Sequence, residues 1–232
     1  MNVFIAFPDN EFRRAFFTED RMKPLSAYAN ISWNPYTVQL KPDEVAAYIS
    51  QTNIYLGGWQ TPQLNFSHIE ASYLQLICNI GNLKGSIHRD VFERGFPVSS
   101  SNDGFAKSVA EFALILLLMS FRKVYPSIAQ MKKDTAQINK IRNIGNSLYG
   151  KTFGLLGYGS IARELIVLLH AFDVNVIVCD EYCSVSESID NNFRLLPLDA
   201  FLQECDAASI HHTLTSKLSS TRRAGRSLTS VL

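Results

Sequence analysis

The stretch Lys151-Thr152-Phe153-Gly154-Leu155-Leu156-Gly157-Tyr158-Gly159-Ser160-Ile161-Ala162 decides the fold of this chain. Phe153 to Leu156 is a short apolar run of the kind that forms a strand buried on both faces, and it leads straight into Gly157. Beyond the glycines, Ile161, Leu165, Leu168, Leu169 and Phe172 recur at helical spacing, which gives a helix with one apolar face. Val174 to Cys179 supplies a second buried strand, and Asp180 ends it 21 residues after Gly159. Strand, tight turn, helix and strand in that order make a βαβ unit of a parallel sheet.

The glycine pattern, G-x-G-x-x-A from Gly157 to Ala162, is weak on its own, because glycines are common at strand-to-helix turns. Its context gives each residue a physical role. Gly157 permits the tight turn, Gly159 leaves room for a pyrophosphate, and Ala162 lets the helix pack close to the strand. The first helical residues, Ser160 and Ile161, lie where unpaired N–H groups and the positive end of the helix dipole meet phosphate oxygens. Ser160 adds a hydroxyl donor or caps the helix. Asp180 stands where an acid accepts from the adenosine ribose hydroxyls. Glu181 follows it, and no Arg or Lys lies between Asp180 and Arg194, so a ribose 2′-phosphate meets negative charge and no neighbouring cation in the sequence. The cofactor these residues suit is NAD in preference to NADP; the alternative is a βαβ unit that binds nothing.

Upstream, strand-like and helical segments also alternate. Val3 to Phe7 and Ile54 to Leu56 read as strands, Pro42 to Ser50 as a helix opened by proline and acids, and Leu74 to Ile80 as a strand ending at Gly81. That alternation predicts a second parallel sheet covered by helices. A long apolar helix from about Phe105 to Lys123 marks the junction. Its core, Ala113 to Met119, is bracketed by Glu111 and Arg122 and falls short of the roughly 20 residues a membrane span needs, so it reads as a buried helix. Val124 to Leu148 reads as a connecting segment with some helix.

Basic and acidic residues nearly balance, at a formal charge of +1, which argues against nucleic acid or an anionic membrane as the main partner. Cys78, Cys179, Cys183 and Cys205 show neither paired nor metal-ligand spacing, so no metal is expected and the thiols read as reduced in a cytoplasmic protein. The N-terminus has no basic lead, and its apolar run stops at Pro8, so it reads as a first strand and not as a secretory leader.

Several stretches together resemble the D-isomer-specific 2-hydroxyacid dehydrogenase family, over roughly Val3 to Thr215. Ser108-Val109-Ala110-Glu111-Phe112-Ala113 resembles the helix that leads into the family's cofactor domain. Leu148 to Gly157 resembles the strand before its glycine loop, and Leu196 to Leu202 with Cys205 to His211 resembles its third-strand region. The resemblance implies a flavodoxin-like substrate domain, 1–104, and an NAD-binding Rossmann domain with its linking helix, 105–215. It implies that backbone donors of Asn82, Leu83 and Lys84, in the loop after Leu74–Ile80, hold the carboxylate of a small 2-hydroxy or 2-keto acid. It also gives His211 a structural or cofactor-side role and implies a homodimer through the Phe105–Lys123 helix.

The departures concern the chemistry. The residues after His211 are His212-Thr213-Leu214-Thr215 where the family carries a proline, and Ser160 stands where its members often carry Arg. The family's catalytic Arg, Glu and His come after further strands, and nothing in this sequence matches them. Arg222, Arg223 and Arg226 follow no apolar strand, so no residue is assigned a catalytic role. From Ser216 the chain turns Ser- and Arg-rich without periodicity, and 216–232 reads as a disordered non-family tail. The expectation is therefore a partial Rossmann domain in a truncated dehydrogenase, inactive as it stands. Its strands are expected at about Thr152–Gly157, Val174–Cys179 and Ala207–Ile210, with the first left as an open sheet edge. A non-catalytic NAD-binding or dimerisation module and a non-functional product are the alternatives.

Overall fold

A computed structural model describes residues 1–66, 69–71, 73–133 and 145–211. The chain divides into two compact units, the first Met1–Gly104 and the second beginning at Phe105.

The first unit is built on five parallel strands, β1 (Asn2–Ile5), β2 (Asn30–Trp33), β3 (Ile54–Gly58), β4 (Leu76–Ile80) and β5 (Val98–Ser100), in the order β2-β1-β3-β4-β5. This is the flavodoxin-like order. Strand alternation divides the core between two faces. Phe4, Tyr55 and Ile77 pack with Val45 and Ile49 of a helix over Pro42–Ile49, whereas Val3, Ile5 and Phe7 pack with Phe12, Phe17, Met22 and Leu25. The latter four come from two short helices, Glu11–Phe16 and Glu19–Ser26, with Phe17 in the link between them. Neither helix contains a fully buried residue, which is why no apolar stripe announces them in the sequence.

The second unit starts with a 16-residue helix, αA (Ala106–Phe121). Its four-stranded sheet comprises β6 (Thr152–Leu156), β7 (Asn175–Cys179), β8 (Arg194–Leu195) and β9 (Ala207–Ile210), all parallel, in the order β8-β7-β6-β9. The expected open edge at Phe153–Leu156 is therefore not formed. Phe153 pairs with both Val176 and Ala207, and the third strand is the two-residue β8 on the far side of β7. Ala207–Ile210 is the fourth strand, and it closes the side of β6 that the expectation left open.

Alternation again sorts the side chains. Phe153, Leu155, Val176 and Val178 face a core with Ala110 and Leu117 of αA and with Ala162, Leu165, Ile166 and Leu169 of αB (Ser160–His170). Leu156, Ile177 and Ala208 face the other way, onto Phe201 of αC (Leu198–Glu204). Gly154 belongs to that second face: a Cβ there would lie 2.6 Å from Phe201 Cζ. Asp206 fastens the start of β6, accepting from Thr152 N at 2.9 Å and pairing with Lys151 Nζ at 3.3 Å. αA is buried along one side only. Val109, Phe112, Ile115 and Met119 remain 36–60% exposed, so the helix is not the wholly buried one that its composition suggests.

Candidate functional site

The turn after β6 begins with Gly157 at φ +101°, a left-handed conformation that strains any residue with a Cβ. Gly157 N donates to Cys179 O at 2.9 Å, which ties the turn to the end of β7. Gly159 differs. Its φ is −87°, ordinary for any residue, and a Cβ there would meet nothing within 4 Å. Among the described residues nothing packs against position 159, so open space in front of a helix N-terminus is what its missing side chain provides.

Gly159 is the N-cap of αB and makes no side-chain cap bond, so Ser160 is the first helical residue and not the cap. Ser160 and Ile161 therefore occupy the first two helical positions, where backbone N–H groups have no intrahelical acceptor. Ala162 is fully buried against the sheet, as close packing of helix on strand requires.

Asp180 does more than end a strand. Its Oδ2 accepts from Tyr158 N at 2.8 Å, and its Oδ1 accepts from Tyr182 N at 2.7 Å and Cys183 N at 3.0 Å. The carboxylate thus pins the middle of the glycine turn and shapes its own loop. An ionised carboxylate has about four lone-pair sites, so capacity remains for a ribose hydroxyl.

A cation also stands beside this loop, although the sequence between Asp180 and Arg194 contains none. Arg163 of αB lays its guanidinium over the Tyr158 ring, 4.1 Å from the centroid, and pairs with Glu187 at 2.7 Å. Glu187 belongs to a short helix, αD (Val185–Asp190), where it completes a capping box with Ser184: Ser184 N donates to Glu187 Oε2 at 2.9 Å, and Glu187 N donates to Ser184 Oγ at 3.2 Å. The bond from Ser184 N, and then Arg163, hold the Glu187 carboxyl down to about 2, so it is charged at neutral pH. Arg163 escaped the sequence reading because it lies 17 residues before Asp180, on another element.

His211 follows β9 and donates its backbone N–H to Leu156 O at 2.9 Å, at the carboxyl end of the sheet where β6 also ends. Its Nε2 is buried with no hydrogen-bond partner among the described residues, and burial pushes the imidazole below its ordinary 6.5. His212 and the Arg222–Arg226 segment lie outside the described residues. Gly157, Gly159, Ser160, Ile161, Asp180 and His211 all belong to the carboxyl end of one sheet, the usual binding edge of an open α/β fold. A dinucleotide fits this arrangement on one observation above the others, the cradle at Gly159.

In the first unit, the loop after β4 begins with Gly81 at φ +88°, and a Cβ there would run into the Trp59 indole. Asn79 Nδ2 donates to Gly81 O and Asn82 O at 3.0 and 3.1 Å, and Ser100 Oγ donates to Gly81 O at 2.7 Å. The Lys84 amide donates to Asn82 Oδ1 at 2.9 Å in an Asx turn, so this expected carboxylate donor is already engaged. Leu83 O accepts from Ser86 N and Ile87 N. The loop is braced from beneath, with Asn82 and Lys84 exposed.

His88 caps a short helix and pairs with Asp90 at 2.9 Å, and His170 Nε2 lies 3.3 Å from Asn192 O. Both roles are structural. Among the described residues no cluster of His, Cys, Asp or Glu is arranged to hold a metal ion.

The second unit is a nicotinamide-dinucleotide-binding domain of the doubly wound class. Residues 114–223, a little under half of the chain, match the family described as D-isomer specific 2-hydroxyacid dehydrogenase, NAD binding domain. It is 30% identical over 118 residues to D-3-phosphoglycerate dehydrogenase of Mycobacterium tuberculosis, covering 51% of this chain and 22% of that protein. To hydroxypyruvate reductase of Thermotoga maritima it is 30% identical over 123 residues, covering 53% and 39%. A solved glyoxylate reductase from Paecilomyes thermophila superposes with a TM-score of 0.74 at 19% identity, covering 94% of this chain and 66% of that one. The chain therefore spans well under half the length of these curated relatives and about two thirds of that structure.

Proposed function

We propose that 105–215 holds the adenosine and pyrophosphate of NAD, and that 1–104 is a substrate domain for a small 2-hydroxy or 2-keto acid. Gly159 carries this reading, as a glycine that no described residue crowds, in front of the unpaired N–H groups that open αB. When bound, the nicotinamide of NAD supplies hydride chemistry. The chain's own groups do the holding. Gly157 shapes the turn, Ser160 and Ile161 present N–H groups to the pyrophosphate, Asp180 accepts from the ribose, and His211 stands at the end of β9.

The test is calorimetric titration with NAD⁺ of the protein and of Gly159→Val, with melting curves on both. The expected result is binding by the protein and loss of binding in the variant at a small change in melting temperature. Equal binding by both overturns the site.

The exposed stripe Val109, Phe112, Ile115 and Met119 on αA supports a further part of the reading, pairing with a second copy through this helix. A cytoplasmic location accords with relatives that are metabolic dehydrogenases.

A further inference from the structure

We propose that the Arg163–Glu187 pair sets how strongly this site discriminates against a 2′-phosphorylated dinucleotide, with Glu187 neutralising a cation that would otherwise receive the phosphate. The inference rests on the dinucleotide reading above and deepens it.

A short ring of contacts joins the ribose acid to the pair. Asp180 accepts from Tyr158 N, and the Tyr158 ring lies under the Arg163 guanidinium. Arg163 pairs with Glu187, Glu187 is bound to Ser184, and the neighbouring Cys183 N returns to Asp180. Arg163 therefore stands on the rim of the loop whose acid is expected to take the ribose hydroxyls. A nearby Arg is what accommodates a ribose 2′-phosphate in this class of fold.

Arg163 is not spent by its partner in a geometric sense. A guanidinium has five N–H donors, the contact with Glu187 uses Nη2, and the side chain remains 49% exposed. Electrostatically it is offset. Glu187 carries a full charge, and the capping box holds its carboxylate in place, so the pair presents little net charge to an incoming phosphate. The bland reading is that the pair merely staples αB to αD. That reading predicts a change in melting temperature and none in dinucleotide preference.

The experiment titrates NAD⁺ and NADP⁺ into the full chain and into Glu187→Gln, Arg163→Gln and the double variant, by calorimetry, with melting curves on each. In Glu187→Gln the affinity for NADP⁺ relative to NAD⁺ is expected to rise roughly five-fold at low salt and to fade as salt screens the exposed charges. In Arg163→Gln, where Glu187 is left uncompensated, the ratio is expected to fall. In the double variant the gain is expected to disappear. A ratio unmoved in both single variants, with NAD⁺ still bound, overturns this inference and leaves the dinucleotide site standing. A gain that survives in the double variant also overturns it, because Arg163 is then not the receiving group. If the unmodified chain binds neither dinucleotide, the underlying reading fails and this one with it. Should Glu187→Gln not fold, the direction of change in Arg163→Gln decides the question.

Discussion

The carboxylate of Asp180 accepts the backbone N–H of Tyr158 at 2.8 Å, across 22 residues of chain. One side chain at the end of β7 thereby fixes the middle of the glycine turn after β6. Removing it costs more than a ribose contact. Hydrogen bonds to a charged group contribute about 1.5–3 kcal/mol each, and Asp180 makes three, partly exposed. Asp180→Ala is expected to lower stability by about 1–3 kcal/mol in urea denaturation and to abolish NAD⁺ binding. If stability is unchanged while binding is lost, Asp180 is a ligand contact alone and the turn stands without it.

The glycines around this turn separate by what they face. A Cβ on Gly154 would meet the Phe201 ring at 2.6 Å, and Gly157 holds φ +101°, whereas Gly159 has neither constraint. Gly154→Ala is expected to cost about 1–3 kcal/mol by overpacking. Gly157→Ala is expected to cost about 1–2 kcal/mol through backbone strain. Gly159→Ala should cost less, about 0.5–1 kcal/mol, as an N-cap substitution. Thermal melts of the three single variants rank them, and a Gly159→Ala penalty equal to the other two would show that the turn needs glycine there for its own sake.

Legibility in the sequence followed the strength of the local pattern. β6, αB and β7 are readable because alternation, helical spacing and the glycine turn agree over 30 residues. β8 is not, because two residues, one exposed and one half-buried, carry no period. Its loss from the reading made Ala207–Ile210 look like the third strand and left β6 as an edge. β2 was hidden for a related reason: Asn30-Ile31-Ser32-Trp33 is never fully buried and looks polar. The candidate site was legible as residue types, Gly157, Gly159 and Asp180, but not as a network. That Arg163 of αB meets Glu187 of αD is a tertiary contact, which no spacing along the chain encodes.

His211 gives a pH dependence of known sign. Burial lowers its imidazole below 6.5 in the folded chain. The unfolded chain therefore takes the proton first on acidification, and the folded state loses stability as the pH falls from about 6.5 to the folded value. The His211 ring resonances are expected to titrate below 6.5 in a proton NMR series. His211→Gln should flatten the stability-against-pH curve over that window, relative to the unmodified chain. A midpoint at or above 6.5 would mean that the ring is solvated or has gained an acidic partner.

The exposed side of αA leads to the last expectation. Ala106, Ala110 and Leu117 are buried on one side of the helix, while Phe112 stands 60% exposed and Ile115 50% on another. Large apolar side chains repeated along an uncovered helix face, with Val109 and Met119 continuing the row, gain by burial against a like surface. Two-fold pairing would place this stripe against its own copy, so a single substitution acts twice in the dimer. The chain is expected to sediment as a dimer, and Phe112→Glu to shift it to monomer by setting two carboxylates in an apolar interface. Because Phe112 is outside the core formed by Leu117 and Leu165, the melting temperature of the monomer should change little except through loss of the dimer contact. A chain that is monomeric before substitution, or a Phe112→Glu variant that stays dimeric, would move the interface to another surface.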